Sequence, residues 1–156
     1  MEWQKENFII STNKSKLNIS YVHNFLSYQS YWAEGIPFNV VEKSIENSLC
    51  FGIYDGQKQI GFARIITDQA TFGYLADVFV DTDYRGKGLG KWLMQVISNL
   101  PFMRLLRRFM LGTKDAHGLY EQFGFTTLTF TERFMQVHQP NLYERLNDDL
   151  QQENQV

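Results

Sequence analysis

Residues 77–97 read DVFVDTDYRGKGLGKWLMQVI, and this stretch constrains the fold more than any other in the chain. An apolar run of Val78, Phe79 and Val80 reads as a strand and is followed by a short acidic turn. Three glycines at alternate positions come next, Gly86, Gly88 and Gly90, with Arg85, Lys87 and Lys91 among them. Beyond them, Leu89, Trp92, Leu93, Val96, Ile97 and Leu100 fall on one helical stripe that Pro101 ends. Glycines between a strand and a helix let backbone N–H groups turn toward one point, with no Cβ to keep a ligand away. The helix start adds unpaired N–H donors and the positive end of its dipole. With three cations beside them, these features suit a diphosphate. The bland alternative is a tight turn with solvated charges. Two other phosphate loops fit badly: a Walker loop needs glycine in place of Arg85 and Ser or Thr in place of Trp92, and a dinucleotide fingerprint needs glycine in place of Lys91.

The rest of the chain gives that loop an ordinary setting. At 156 residues it fits one domain with a single substantial core. We expect the domain to span residues 1–146 and a polar tail, residues 147–156, to fray. A net charge of −2 excludes a general polyanion binder, so no nucleic-acid partner is expected and any anion site is local. Cys50 is the single cysteine, and Leu49-Cys50-Phe51 reads as a buried strand thiol. The opening MEWQKENF has no signal-peptide pattern, and no apolar run reaches membrane-spanning length. The expectation is a cytoplasmic protein with no membrane partner. His23, His117 and His138 have no metal-ligand spacing, so no metal is expected.

Periodicity supplies the element order. Residues 8–11 (FIIS) read as a strand, and Ile19, Val22, Phe25 and Leu26 mark one face of a helix. After Gly35-Ile36-Pro37 a second helix is expected over residues 38–47. LCFGIYD and QIGFARIIT form a hairpin around Asp55-Gly56, and TFGYLADVFV is a third strand beside it. RFMLG is another strand, residues 115–123 a short helix stopped by Gly124, and residues 127–137 one or two last strands. The order β-α-α-β-β-β-α-β-α-β predicts an α+β (mixed α/β) fold with helices packed on a mixed sheet.

Two motifs carry a family resemblance. YRGKGLG resembles the pyrophosphate motif of the GNAT acetyltransferases, Q/R-x-x-G-x-G/A, with Arg85 first, Gly88 the first glycine and Gly90 the last. Downstream, Ala116-His117-Gly118-Leu119-Tyr120-Glu121-Gln122-Phe123-Gly124-Phe125 is similar to the family's A-x-x-L-Y-x-x-F-G-F. The resemblance implies a central mixed sheet splayed between the fourth and fifth predicted strands, with helices on both faces. It also implies acetyl-CoA as cofactor, released as CoA. The pyrophosphate would lie on the amides of Arg85, Gly86, Lys87, Gly88, Leu89, Gly90 and Lys91, and the pantetheine against backbone groups of Val78 and Val80. Thr113 stands where many relatives have a cofactor-contacting asparagine.

Acetyl transfer to an amine needs a neutral nucleophile, a polarised thioester carbonyl and a stabilised thiolate. A lysine-like amine with pKa about 10.4 costs roughly 4.6 kcal/mol to neutralise at pH 7, so a base or a water chain helps. By the resemblance, Tyr120 takes the place of the general acid. Its intrinsic pKa exceeds a thiol's, so full proton transfer is uphill by about 2 kcal/mol, and a hydrogen bond to the thiolate supplies much of the benefit. Main-chain N–H groups near Phe79 are suited to a developing oxyanion. Asp77 shares a strand face with Phe79 and lines the acceptor cleft or serves as a structural carboxylate; both readings stand. Tyr31, Trp32 and Glu34 fall between the first two helices, where this family commonly forms its acceptor side; plain packing of the helix pair is the other reading. His117, one turn before Tyr120, is either a relay or a cap.

The function expected is an N-acetyltransferase acting on a primary amine, small-molecule or peptide, by direct attack in a ternary complex. The alternative is a non-catalytic acyl-CoA-binding sensor or partner subunit of the same fold. A cationic acceptor is favoured by chain acidity and by Asp77 or Glu34. Members of the family often pair through sheet edges or C-terminal strands, so a homodimer through residues 130–137 is the matching expectation.

Overall fold

The computed structural model describes residues 1–153. Strands β1 (Glu2–Lys5), β2 (Phe8–Ser11), β3 (Leu49–Asp55), β4 (Lys58–Thr67), β5 (Phe72–Val80) and β6 (Arg108–Leu111) lie side by side in chain order. The first five pair antiparallel, and β6 joins β5 in parallel. Helices α1 (Ile19–Gln29), α2 (Phe38–Glu46), α3 (Leu89–Ser98), α4 (His117–Glu121) and α5 (Leu142–Glu153) complete a mixed α/β fold. Two compact units divide the described residues, Met1–Asn18 with Ser44–Phe125, and Ile19–Lys43 with the residues from Thr126 on.

In the first unit, the apolar stripe of α3 forms the core. Leu89, Trp92, Leu93, Val96, Ile97 and Leu100 are buried with Met94, and they cluster with Phe51, Ile53, Ala63, Ile65, Leu75 and Tyr120. Full burial of such a side chain contributes about 1.5–3 kcal/mol, so this stripe fixes α3 to the sheet. The β3–β4 hairpin turns at Asp55-Gly56 with Gly56 at φ +57°, as the sequence predicts. Gly124 ends α4 in the left-handed region (φ +83°), where Gly124 N–H bonds Glu121 O and Phe125 N–H bonds Tyr120 O. Cys50 is a buried thiol whose pKa burial pushes up to about 11.

Strand β1 was not expected. EWQK offers one apolar residue, and its place is held instead by Glu2, whose carboxylate accepts from Ser11 Oγ (2.9 Å) and Lys16 Nζ (2.6 Å). This strand moves the predicted fourth and fifth strands to β5 and β6.

In the second unit, Val22, Phe25 and Leu26 are the buried face of α1, at the predicted spacing. Residues 127–137 correct the prediction: among the described residues no strand follows β6, and a 3₁₀ turn over Thr131–Arg133 stands there instead. TLTFTERFMQV is rich in apolar and β-prone residues, but such a segment forms a strand only beside a pairing partner. Met135 and Val137 are left 98% and 94% exposed. Residues 147–153, expected to fray, continue α5 instead, and Asn147 Nδ2 donates to Gly35 O at 2.8 Å; residues 154–156 lie outside the described residues.

Candidate active site

The site is built where β5 outruns β6. Parallel pairing covers Phe72↔Arg108 to Leu75↔Leu111 and stops, so residues 76–80 continue with no β6 partner. This is the predicted splay. On the other side β5 stays with β4 but carries one extra residue. Phe62 pairs Phe79 and Arg64 pairs Ala76, so Ala63 faces both Asp77 and Val78. Such a bulge bends its strand, and here it sits beside the point where β6 is left behind. Asp77 holds the bulge with φ at +55°, a region that aspartate enters more readily than most residues.

The bulge sets which backbone groups face the opening. Asp81 N–H donates to Ile60 O at 2.8 Å. Two residues back, Phe79 shares that phase and directs its N–H toward β4, so Val78 and Val80 present theirs to the side without β6. Val80 O accepts from Arg85 Nε at 3.4 Å, which agrees with that direction. The side chains of Val78 and Val80 pack against the α3 cluster with Leu75, whereas Phe79 meets Phe62 at a ring separation of 6.2 Å.

Asp77, a sequence candidate for catalysis, is bound to its neighbour strand. Its Oδ2 accepts from Arg64 Nε, and Arg64 Nη1 donates to Ser48 Oγ at 3.3 Å. The two side chains are 8% and 15% exposed.

The glycine loop follows. Asp81 caps the turn Thr82–Tyr84 by accepting from Asp83 N–H, and the chain then passes through Gly86 (φ +78°) and Gly88 (φ +73°), both left-handed. Gly88 is the N-cap of α3, and Trp92 N–H to Gly88 O (2.9 Å) is the first helical bond. Leu89, Gly90 and Lys91 therefore carry N–H groups with no partner inside the helix, and no side chain caps them. A Cβ at Gly86 or Gly88 would meet nothing within 4 Å, so open space lies over the loop. Arg85, Lys87 and Lys91 are exposed beside it.

Two residues that the sequence did not single out join this loop to the β3–β4 hairpin. The ring of Tyr84 lies under Lys87 Nζ at 5.0 Å and Lys58 Nζ at 5.1 Å, and its hydroxyl donates to Asp55 Oδ2 at 3.1 Å. The Asp55-Gly56 turn predicts Lys58 opposite Asp55, but nothing local predicts that Tyr84 reaches them. Arg64 was missed in the same way, as one basic residue within an apolar strand.

Tyr120 is buried on α4 and packs edge-on to Phe125 at 5.8 Å, in the cluster that holds α3. Thr113 Oγ1 accepts from Ala116 N–H at 3.1 Å and so anchors the start of α4, leaving its hydroxyl hydrogen to donate elsewhere. His117 is exposed at the first position of α4.

In the second unit, Tyr31 and Trp32 form an edge-on pair at 5.0 Å and stay 52% and 42% exposed, with Glu34 exposed beside them. Among the described residues no three His, Cys, Asp or Glu gather as a metal would need, and no helix is long and apolar enough to cross a membrane.

Known proteins share this fold. Residues 46–127 match the family described as an acetyltransferase (GNAT) domain. A protein of Gibberella zeae, named as a candidate acetyltransferase, is 30% identical over 138 residues, 76% of this chain and 78% of that one. The crystal structure of a candidate GNAT-family acetyltransferase from Xanthomonas campestris superposes with a TM-score of 0.85 at 44% identity, covering 90% of this chain and 99% of that one. A Clostridium acetobutylicum structure of an inferred acetyltransferase with acetyl-CoA has the same fold, with a TM-score of 0.61 at 16% identity over 85% and 95% of the two chains.

Proposed function

Because the chain belongs to the GNAT acetyltransferase family, we propose that it moves the acetyl group of acetyl-CoA to a primary amine by direct attack in a ternary complex. The observation that carries this reading is a pair of main-chain donor sets, Val78 and Val80 at the splayed end of β5 and Leu89, Gly90 and Lys91 in the first turn of α3. It fits a long, thin ligand with a diphosphate in its middle. The amides from Gly86 to Lys91 would hold the diphosphate, the Arg85 N–H being bonded to Thr82 O (3.3 Å), with the Arg85, Lys87 and Lys91 side chains neutralising it and Lys58 adding a fourth cation. Val78 and Val80 would bond the pantetheine amides as a neighbouring strand does.

The cofactor supplies an activated acetyl thioester. The protein orients it: a main-chain N–H at the bulge would polarise the acetyl carbonyl, with Val78 better directed than Phe79. Tyr120 would hold its phenolic proton toward the departing sulfur, and Thr113 keeps α4 in place to do so. The amine's proton would leave through water, since Asp77 is engaged with Arg64. Tyr31, Trp32 and Glu34 remain the proposed acceptor side, where rings and a carboxylate suit a cationic amine. The exposed residues 130–137 are the proposed contact with a second copy.

An amine panel with CoA release as the signal tests this reading. We expect turnover with at least one primary amine, and Tyr120→Phe should lower kcat about 10–100-fold while leaving acetyl-CoA affinity within about threefold. Saturable acetyl-CoA binding without turnover on any amine would instead identify the acyl-CoA sensor.

A further inference from the structure

Arg64 and Asp77 form a largely buried ion pair at the β4–β5 bulge, and their placement there has a consequence for catalysis. Arg64 stands opposite Ala76 in the β4–β5 ladder, one residue before the extra residue of β5. Its guanidinium is held at two points, Nε on Asp77 Oδ2 and Nη1 on Ser48 Oγ, so its direction is fixed from the residue that precedes β3 as well as from β5. Phe62 and Phe79 occupy the next ladder position, their rings in tilted contact at 6.2 Å. Asp77 in turn is the residue whose left-handed backbone makes the bulge. Removing the guanidinium would leave this carboxylate, at 8% exposure, without the cation that compensates it, and breaking such a pair is strongly destabilising.

We propose that Arg64 is a positioning residue for acetyl transfer: clamped by Ser48, it pins the Asp77 carboxylate and thereby keeps the bulge that turns the Val78 and Val80 amides into the opening beside β6. Asp77 acts through its backbone and exchanges no proton with the amine. A planar guanidinium reaches Asp77 and Ser48 together, which a single ammonium does not. The inference rests on the proposed acetyl-CoA site for its catalytic meaning, but the clasp itself is a property of the ligand-free protein.

The test therefore has a ligand-free arm and a catalytic arm, using the full chain and the variants Arg64→Met, Asp77→Asn and Arg64→Met/Asp77→Gly. In the ligand-free arm, amide exchange at Arg64 and Phe79, whose ladder bonds flank the bulge, should quicken at least about tenfold in Arg64→Met, with α3 unchanged. The double variant should recover most of that protection, since glycine takes positive φ freely and leaves no carboxylate behind. If Arg64→Met does not fold, recovery of a folded state by the double variant carries the same result.

In the catalytic arm, Arg64→Met should lower kcat about 100-fold or more and raise the acetyl-CoA Kd by about tenfold. Asp77→Asn keeps an acceptor for Arg64 Nε and tolerates the same backbone, so its kcat should stay within about tenfold of wild type. Unchanged exchange in Arg64→Met, or no recovery in the double variant, overturns the clasp. A loss of about 1,000-fold or more in Asp77→Asn, with exchange and acetyl-CoA affinity intact, makes Asp77 the proton acceptor and overturns its assigned role. A wild-type protein that binds no acetyl-CoA would end the cofactor reading alone, because the exchange arm still decides the clasp.

Discussion

The glycine loop and the β5 bulge are neighbours in the chain, and both force the backbone into the left-handed region, but they hold it there by opposite means. At Gly86 and Gly88 the conformation comes from what is missing, since no Cβ opposes positive φ and nothing within 4 Å would touch one. At Asp77 the same conformation is occupied by a residue with a side chain, tied down by Arg64. The loop is thus open and solvent-facing, ready for a ligand to complete it. The bulge is enclosed and already complete before any ligand arrives. In the proposed reading one region would receive the cofactor and the other would supply the fixed edge that the cofactor lies along.

The largest test of that contrast fills the loop. Gly88→Trp should abolish measurable acetyl-CoA binding, a loss of at least about 100-fold, because the ring occupies the space over the helix start. Its backbone strain at φ +73° should cost about 1–2 kcal/mol, so circular dichroism should show the fold retained. A second glycine sharpens the comparison, since Gly52 is kept for room rather than torsion. A Cβ there would stand 2.3 Å from the buried Tyr54 hydroxyl, and Gly52→Ala should lower stability by about 1–3 kcal/mol in urea titration. Acetyl-CoA affinity should not follow it.

A smaller effect comes from another backbone feature held by a carboxylate. Asp68 caps the β4–β5 turn, accepting from the Thr71 hydroxyl and the N–H groups of Thr71, Ala70 and Phe72. These bonds, the Thr71 hydroxyl first, hold its pKa well below the ordinary aspartate range. A lowered folded pKa contributes stability above the unfolded value, about 3.9, which is lost as pH falls from there through the folded value. Urea midpoints of the wild type should therefore decline below about pH 4, and Asp68→Asn should be less stable at neutral pH with a flatter acid limb. The smallest effect is expected at Tyr54. Its buried hydroxyl has no hydrogen-bond partner among the described residues, and burial pushes its pKa up to about 12. Tyr54→Phe should thus be neutral to within about 0.5 kcal/mol, or stabilising.

The same contrast explains what could be read from the chain. The glycine loop, the α3 stripe and the Asp55-Gly56 turn were legible because each is a local pattern of residue types with one physical meaning. The bulge was not, since an aspartate at positive φ leaves no composition signal and its partner, Arg64, is thirteen residues upstream. The Tyr84 stack with Lys58 and Lys87 is non-local for the same reason. Residues 127–137 failed in the other direction, because an apolar, β-prone composition says nothing about whether a neighbour exists. The end of α5 was misjudged from its polar composition, although Leu142, Leu146 and Leu150 recur at helical spacing through it.

Titrating the purified protein with acetyl-CoA by calorimetry, with ATP and Gly88→Trp as controls, tests the central claim most directly. Saturable micromolar binding that ATP does not reproduce and the variant loses is the expected result. Folded wild-type protein that shows no binding at near-millimolar acetyl-CoA would contradict it, and the glycine loop would then be a tight turn with solvated charges.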